Sequence, residues 1–414
     1  MGVRLALLCW FSLALSCGSD ALDGGPSTAG MGGASGSGGS APSAGGGPPV
    51  PGPPSKSALL THVEAVLGPA DGGSAELVTL FEPSRAVSAT ALAFDPEREG
   101  ELWVTLREFP VDSPCTMEVS TGCQALVGRV ALIQGATGDA PVTTVKTDGN
   151  AWHFMRRPSA IAFGDNGNLA TCHEYRTGNY DDQAADYIGP TLWSSDPTIF
   201  GVKPLPSQNG THLDMLHSTP YCVGIAHERD NIYWLFNGDL GALDRYDFKE
   251  PHPIGGEDHA DGELWRYVEG ELSRVPGTPS HLVMDKPTGI LYVVDSGNSR
   301  IVGLDTATGV ENGTVPSNDG LLVRARMQDA KLEVIVPAGT LERPSGIALS
   351  QNVLFVTDSA TSLVHAFSRD GDHVGSVETG LPAGTLAGVA VGPDDRLYLS
   401  DLATGNAYRL EPRE

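Results

Sequence analysis

The chain has 414 residues, 40% of them hydrophobic, enough to bury the core of one large domain or two ordinary ones. Its 52 glycines and 30 prolines interrupt long helices and punctuate turns, which excludes a mainly helical protein. A formal net charge of −25 repels a phosphate backbone, so nucleic acid is excluded as a partner, while cations, sugars, neutral small molecules and basic proteins stay open.

The first residues read as an export signal. Arg4 is a short basic region, Leu5 to Leu15 is nearly all apolar, and small residues precede Cys17. The apolar stretch is too short to span a bilayer as a mature helix. Ala14-Leu15-Ser16-Cys17 resembles a bacterial lipobox, with alanine in place of the usual leucine and Leu13 one position earlier. That resemblance implies that residues 1–16 are removed and that Cys17 carries the lipid anchor; a plain secretory signal cleaved nearby is the alternative. Both readings put the mature protein outside the cytoplasm, at the cell envelope. From Gly24 to Pro54 the chain is almost entirely Gly, Ser, Ala and Pro, so residues 17–58 are expected to be a flexible tether. Membrane contact is expected through the anchor alone.

From residue 59 to the end a unit recurs: a short apolar strand, a polar turn, a second strand, then an acidic or amide residue. The first strands begin at Ala91-Leu92-Ala93-Phe94, Ser159-Ala160-Ile161-Ala162, Gly224-Ile225-Ala226, His281-Leu282-Val283-Met284, Ser345-Gly346-Ile347-Ala348 and Gly388-Val389-Ala390-Val391. The second strands follow at Leu102-Trp103-Val104, Leu169-Ala170-Thr171, Ile232-Tyr233-Trp234-Leu235, Leu291-Tyr292-Val293-Val294, Leu354-Phe355-Val356 and Leu397-Tyr398-Leu399. The copies lie roughly forty to seventy residues apart, the range of propeller blades with loop insertions. Small residues opening each first strand suit a crowded central axis, and no sustained helical period is visible. Asp295-Ser296-Gly297-Asn298-Ser299-Arg300-Ile301 and Pro344-Ser345-Gly346-Ile347-Ala348 carry a resemblance to the NHL-repeat family, which covers the chain after the tether. The expected fold is therefore all-β: a six-bladed β-propeller of NHL-type repeats over residues 59–414. The last copy stops after three strands at Tyr408-Arg409-Leu410, so Ala75 to Phe81 is expected to close the ring as the outer strand of the final blade. An open solenoid is the alternative.

Beyond the leader four cysteines remain, and an even count outside the cytoplasm favours disulfides. Cys115 and Cys123 share one insertion. Cys172 ends a second strand and Cys222 precedes the next first strand, so both should reach one face. Metal ligation by cysteine competes, but no Cys-x-x-Cys spacing occurs.

In NHL propellers the loops entering first strands and leaving second strands share the funnel mouth. The resemblance implies that this mouth collects His153, His173, Glu174, His217, Asn237, Asp239, His281, Asp295, Asn298, Arg343, Asp358 and Asp401. Of these, Glu174, Asn237, Asp239, Asp295, Asn298, Arg343, Asp358 and Asp401 are candidate ligand-binding residues. Asp295, Asp358 and Asp401 have the competing role of capping turns. The second blade carries a long insertion, ending in His212-Leu213-Asp214-Met215-Leu216-His217. Departures from a repeat are places where function is grafted. Histidines and carboxylates together can hold a divalent metal, zinc or calcium, and the candidate ligands are His153, His173, His212, Asp214, His217 and His281. A further cluster, His227-Glu228 with Glu257-Asp258-His259-Ala260-Asp261-Gly262-Glu263, is expected on the face opposite the mouth.

Two enzyme families built on six-bladed propellers match poorly. Peptidyl-amidoglycolate lyases place zinc-binding histidines at several first-strand starts, where this chain has only His281. Gluconolactonase-type enzymes place a glutamate at a first-strand start, and no copy here does. The leading expectation is a monomeric, tethered binding module for a small-molecule or protein ligand. The alternative is a metal-dependent hydrolase or lyase acting at the funnel mouth.

Overall fold

The computed structural model describes residues 55–69, 74–108, 127–178, 187–202, 209–317 and 319–412; Cys17, Cys115 and Cys123 lie outside them. Helix α1 (Lys56–Leu67) comes first and was not visible as a helical period. The Ser55 side chain accepts from the Ala58 N–H at 3.3 Å, and Gly68, at φ 86°, ends the helix. Its Val63, Val66 and Leu67 pack with Val377, Tyr408 and Leu410, so docking rather than intrinsic propensity holds it.

Strand β1 (Glu76–Phe81) leads into the first blade, β2 (Val87–Phe94), β3 (Leu102–Glu108), β4 (Arg129–Gln134) and β5 (Val142–Lys146). A single turn, α2 (Ala151–Phe154), precedes the second blade: β6 (Pro158–Phe163), β7 (Asn168–His173), β8 (Thr191–Ser194) and β9 (His212–Met215). The third blade starts with β10 (Cys222–Arg229), β11 (Ile232–Asn237), β12 (Ala242–Asp247) and β13 (Glu263–Tyr267). The fourth is β14 (Leu282–Asp285), β15 (Ile290–Asp295), β16 (Arg300–Asp305) and, after an insertion holding β17 (Val310–Thr314) and β18 (Val323–Gln328), β19 (Leu332–Val336). Strands β20 (Pro344–Ser350), β21 (Val353–Asp358), β22 (Leu363–Ser368) and β23 (His373–Glu378) make the fifth. The sixth is β24 (Leu386–Val391), β25 (Leu397–Asp401), β26 (Ala407–Glu411) and β1. The expected closure is present: β1 runs antiparallel to β26, with Leu77 opposite Leu410 and Thr79 opposite Tyr408.

Second strands such as β11 and β21 are buried on both faces, which is why they read as continuous apolar runs. First strands need small residues for the reason the sequence suggested. A Cβ at Gly224 would overlap the Ser280 carbonyl oxygen of the next blade. A Cβ at Gly388 would stand 3.2 Å from both the Ala91 Cα and the His281 ring. His281 crosses the axis: its backbone N–H donates to the Ser345 carbonyl at 2.9 Å, while its Nε2–H donates to the Ser159 carbonyl at 3.2 Å. One residue, through its backbone N–H and its ring, thus ties the second, fourth and fifth blades.

The repeat pattern did not anticipate the third blade's size. The insertion between β16 and β19 crosses back, and β18 pairs in parallel with β13, placing Arg324 opposite Leu264. This makes a six-stranded sheet, anchored by Val315 and Leu321, which bury with residues of the second blade. Among the described residues no helix is long and apolar enough to cross a membrane.

Candidate metal centre

The outer edge of β9 is covered by the loop 248–262, which joins β12 to β13. Prolines at 251 and 253 hold the chain extended around His252. The His252 N–H donates to the Leu213 carbonyl at 3.1 Å and the Gly255 N–H to the His212 carbonyl at 2.9 Å. A Cβ at Gly256 would sit 2.8 Å from His252 Nδ1, so glycine lets the loop close on the ring.

This docking brings Asp214 from the second blade against His252 and His259 from the third. One donor atom from each of the three lies within 4.8 Å of the others. His259 Nδ1 is 2.7 Å from Asp214 Oδ1. His252 Nδ1–H donates to the Pro253 carbonyl at 2.8 Å, and His212 Nδ1–H to the Asn209 carbonyl at 2.8 Å. Those bonds fix both tautomers and leave each Nε2 a bare acceptor. His252 Nε2, His212 Nε2 and Asp214 Oδ2 are all buried without a hydrogen-bond partner among the described residues. The His212 ring stacks on Phe154 at 3.6 Å and meets His252 at 4.9 Å between centroids.

Burial and pairing set the charge states here. Burial, then the neighbouring His252, depresses the His212 pKa to about 3, so its ring stays neutral. Burial pushes the Asp214 carboxyl up, opposed by His259. Burial lowers His259, but the Asp214 carboxylate outweighs it and the net shift is upward. Beside this group His217 donates to Asp319 of the crossing insertion, through Nδ1 at 2.8 Å and its backbone N–H at 2.6 Å. Burial works upward on Asp319, yet the His217 bonds hold its carboxyl below the usual range. His153 lies 6.4 Å from the His217 ring, with Nδ1 2.8 Å from the Gly178 carbonyl.

Of the candidate metal ligands, the structure therefore gathers His153, His212, Asp214 and His217 in one rim region. His173 and His281 are elsewhere. The buried His173 ring meets the Gly189 carbonyl at 3.0 Å and the Thr171 hydroxyl at 3.1 Å, and burial drops its pKa to about 3. His281 serves the axis, where burial lowers its pKa to about 4. His173 and His217 both border Gly189, the His173 ring at its carbonyl and the His217 Cα 3.0 Å from where a Cβ would stand, but both His173 ring nitrogens are bonded and it is not among the three converging donors. Two clusters assigned to opposite faces also meet: His259 reaches Asp214, whereas Glu228 holds Arg245 at 2.7 Å and Trp234 at 2.7 Å.

Apart from Arg343, whose side chain is exposed, the mouth residues are committed to internal partners. Glu174 accepts from Arg107 at 2.6 Å, Arg274 at 2.9 Å and the Gly277 N–H at 2.7 Å. Asn237 donates to Asp244, and Asp239 pairs with Arg176 at 3.3 Å. Asp295 accepts from the Ser273 N–H, Asn298 and Arg300. Asp358 caps the backbone N–H groups of Glu342, Arg343 and Ala360, and Asp401 those of Ala403 and Thr404. Cys172 and Cys222 form the expected disulfide, with Cα atoms 5.6 Å apart.

Sequence reasoning missed His252 as a ligand and misplaced His259. A usable signal existed: His153, His212, His217, His252 and His259 are five of the chain's 11 histidines, confined to about a quarter of its length.

No protein-family model matches the chain, and no curated protein matches it in sequence. Among solved structures it is similar to an auxiliary nutrient binding protein from Bacteroides thetaiotaomicron, at 11% identity and TM-score 0.49 over 82% of this chain and 75% of that one. It is similar to the calcium-binding protein regucalcin from Agrobacterium tumefaciens, at 14% identity and TM-score 0.47 over 83% of this chain and 96% of that one. It is also similar to virginiamycin B lyase from Staphylococcus aureus, at 12% identity and TM-score 0.44 over 82% and 99% respectively. Likenesses this distant carry no argument about chemistry.

Proposed function

We propose that the chain is an exported, lipid-tethered propeller with NHL-type repeats that acts as a binding module at the cell envelope. Its rim centre then holds a divalent transition metal, zinc first. One observation carries the metal assignment: donor atoms of Asp214, His252 and His259 lie within 4.8 Å of one another, and His252 Nε2 and Asp214 Oδ2 are buried with no hydrogen-bond partner among the described residues. Such atoms are costly when unpaired, and a cation relieves that cost. Imidazoles with a single carboxylate suit zinc, whereas calcium takes an all-oxygen shell.

The test is elemental analysis of the purified domain, followed by zinc and calcium titration. Stoichiometric zinc that is lost in Asp214→Ala supports the reading. A wild-type protein that takes up no zinc at micromolar concentrations removes it. A metal-dependent hydrolase or lyase is the second reading, favoured by His259, whose side chain is 20% exposed and leaves the centre accessible to water. Its site is then the rim and not the funnel mouth.

A further inference from the structure

We propose that the rim centre keeps one coordination position open to solvent, and that this position takes neutral nitrogen or oxygen donors in preference to anions. This rests on the metal reading above.

Openness follows from the ligand arrangement. Three donor atoms converge, from Asp214, His252 and His259, one short of a tetrahedral shell. Asp214 and His252 are buried, while His259 faces solvent, so the missing position lies on the His259 side. His212 is held out of that set by its face-to-face stack on Phe154, at 17° between planes.

Selectivity follows from charge. A divalent ion with Asp214 leaves a net single positive charge at the centre. Asp258 and Asp319 both act electrostatically on His259, and the chain as a whole carries −25. An anion approaching past His259 meets both carboxylates. A neutral nitrogen or oxygen donor meets no such repulsion, whereas an anion such as acetate does.

The experiment uses the full chain loaded with cobalt(II), whose visible absorption reports its ligand shell, titrated with imidazole and separately with acetate. Imidazole should perturb the spectrum at concentrations about tenfold below acetate. Because imidazole is intrinsically the better donor, the deciding arm is Asp258→Asn. That change should strengthen acetate binding several-fold and leave imidazole unmoved. His212→Phe should retain stoichiometric cobalt. A spectrum indifferent to both additives means a closed shell and overturns the proposal. Acetate binding that ignores Asp258→Asn, or cobalt lost in His212→Phe, overturns it as well. Failure of the wild-type chain to bind cobalt or zinc at all instead defeats the metal reading on which it stands.

Discussion

Exchanging His281 for glutamine should remove a defined part of the protein's acid sensitivity. The imidazole is 8% exposed, and burial depresses its pKa to about 4 against 6.5 in an unfolded chain. Above pH 6.5 both states hold the ring neutral, and it imposes no pH dependence. As pH falls below 6.5 the unfolded chain takes up a proton that the folded axis refuses, so stability is lost until about pH 4, where the folded ring also titrates. A shift of that size is worth about 3 kcal/mol at pH 4. His281→Gln keeps an N–H for the Ser159 carbonyl and should cost only about 1 kcal/mol at pH 7.5. Urea unfolding of both proteins at pH 7.5, 5 and 4 measures the difference. The wild type should lose about 3 kcal/mol more than the variant between the extremes. Equal losses would refute the placement of a neutral imidazole in the axis. His173, also buried and neutral, contributes to both proteins alike and cancels.

Four other outcomes are expected. Cys17→Ser should release the protein from membranes on fractionation, and unchanged membrane association would count against the anchor. Deleting residues 24–54 should shift the melting temperature by less than about 2 °C, because Met31 and Val50 are the segment's only large apolar side chains outside proline. Truncation through Phe81 strips Val63, Val66, Leu67, Leu80 and Phe81 from the core, on the order of 10 kcal/mol, and a truncated chain that still melts cooperatively at the original temperature would disprove ring closure by β1. Zinc at a hundred times its dissociation constant should stabilise the wild type by about 2.7 kcal/mol in thermal unfolding, and His252→Ala should abolish that gain.

The six blades were legible because each copy obeys two packing demands at once. The first strand must be small where neighbouring strands crowd, as at Gly224 and Gly388, and the second must be apolar on both faces, as at Ile232 to Phe236. Closure by β1 and the Cys172–Cys222 bridge were legible for a related reason, since both follow from counting strands around a ring. Helix α1 was not, because four buried residues in twelve are too weak a period and the docking surface lies more than three hundred residues away. The extra strands of the third blade escaped because pairing between Leu264 and Arg324 is a long-range register that no local pattern encodes. His212 and Asp214 could be read as ligand types from their spacing on one strand. Their partners His252 and His259 could not, since their approach depends on the loop lying along β9. Nor does sequence separate a satisfied core histidine from a ligand: His173 differs from His212 only in having both ring nitrogens bonded.

The contrast between mouth and rim is one of sign. At the mouth, Glu174 already receives three donors, two of them guanidinium groups, and Arg107 and Glu174 are nearly buried. A ligand entering there has to separate that ion cluster, and stranding a buried charge costs about 3–5 kcal/mol before any new contact forms. The axis behind it is crossed by His281, whose backbone N–H bonds the fifth blade and whose ring bonds the second. At the rim the ledger reverses. Two acceptors, His252 Nε2 and Asp214 Oδ2, are desolvated and unpaired among the described residues, each unfavourable by about 1–3 kcal/mol, and a single cation satisfies them together. The elements that present them, β9 and the loop 248–262, are the parts of their blades furthest from the axis, where change leaves the ring contacts intact. A propeller sealed along its axis can therefore still carry a site, provided the site is built where two neighbouring blades meet at their outer edges.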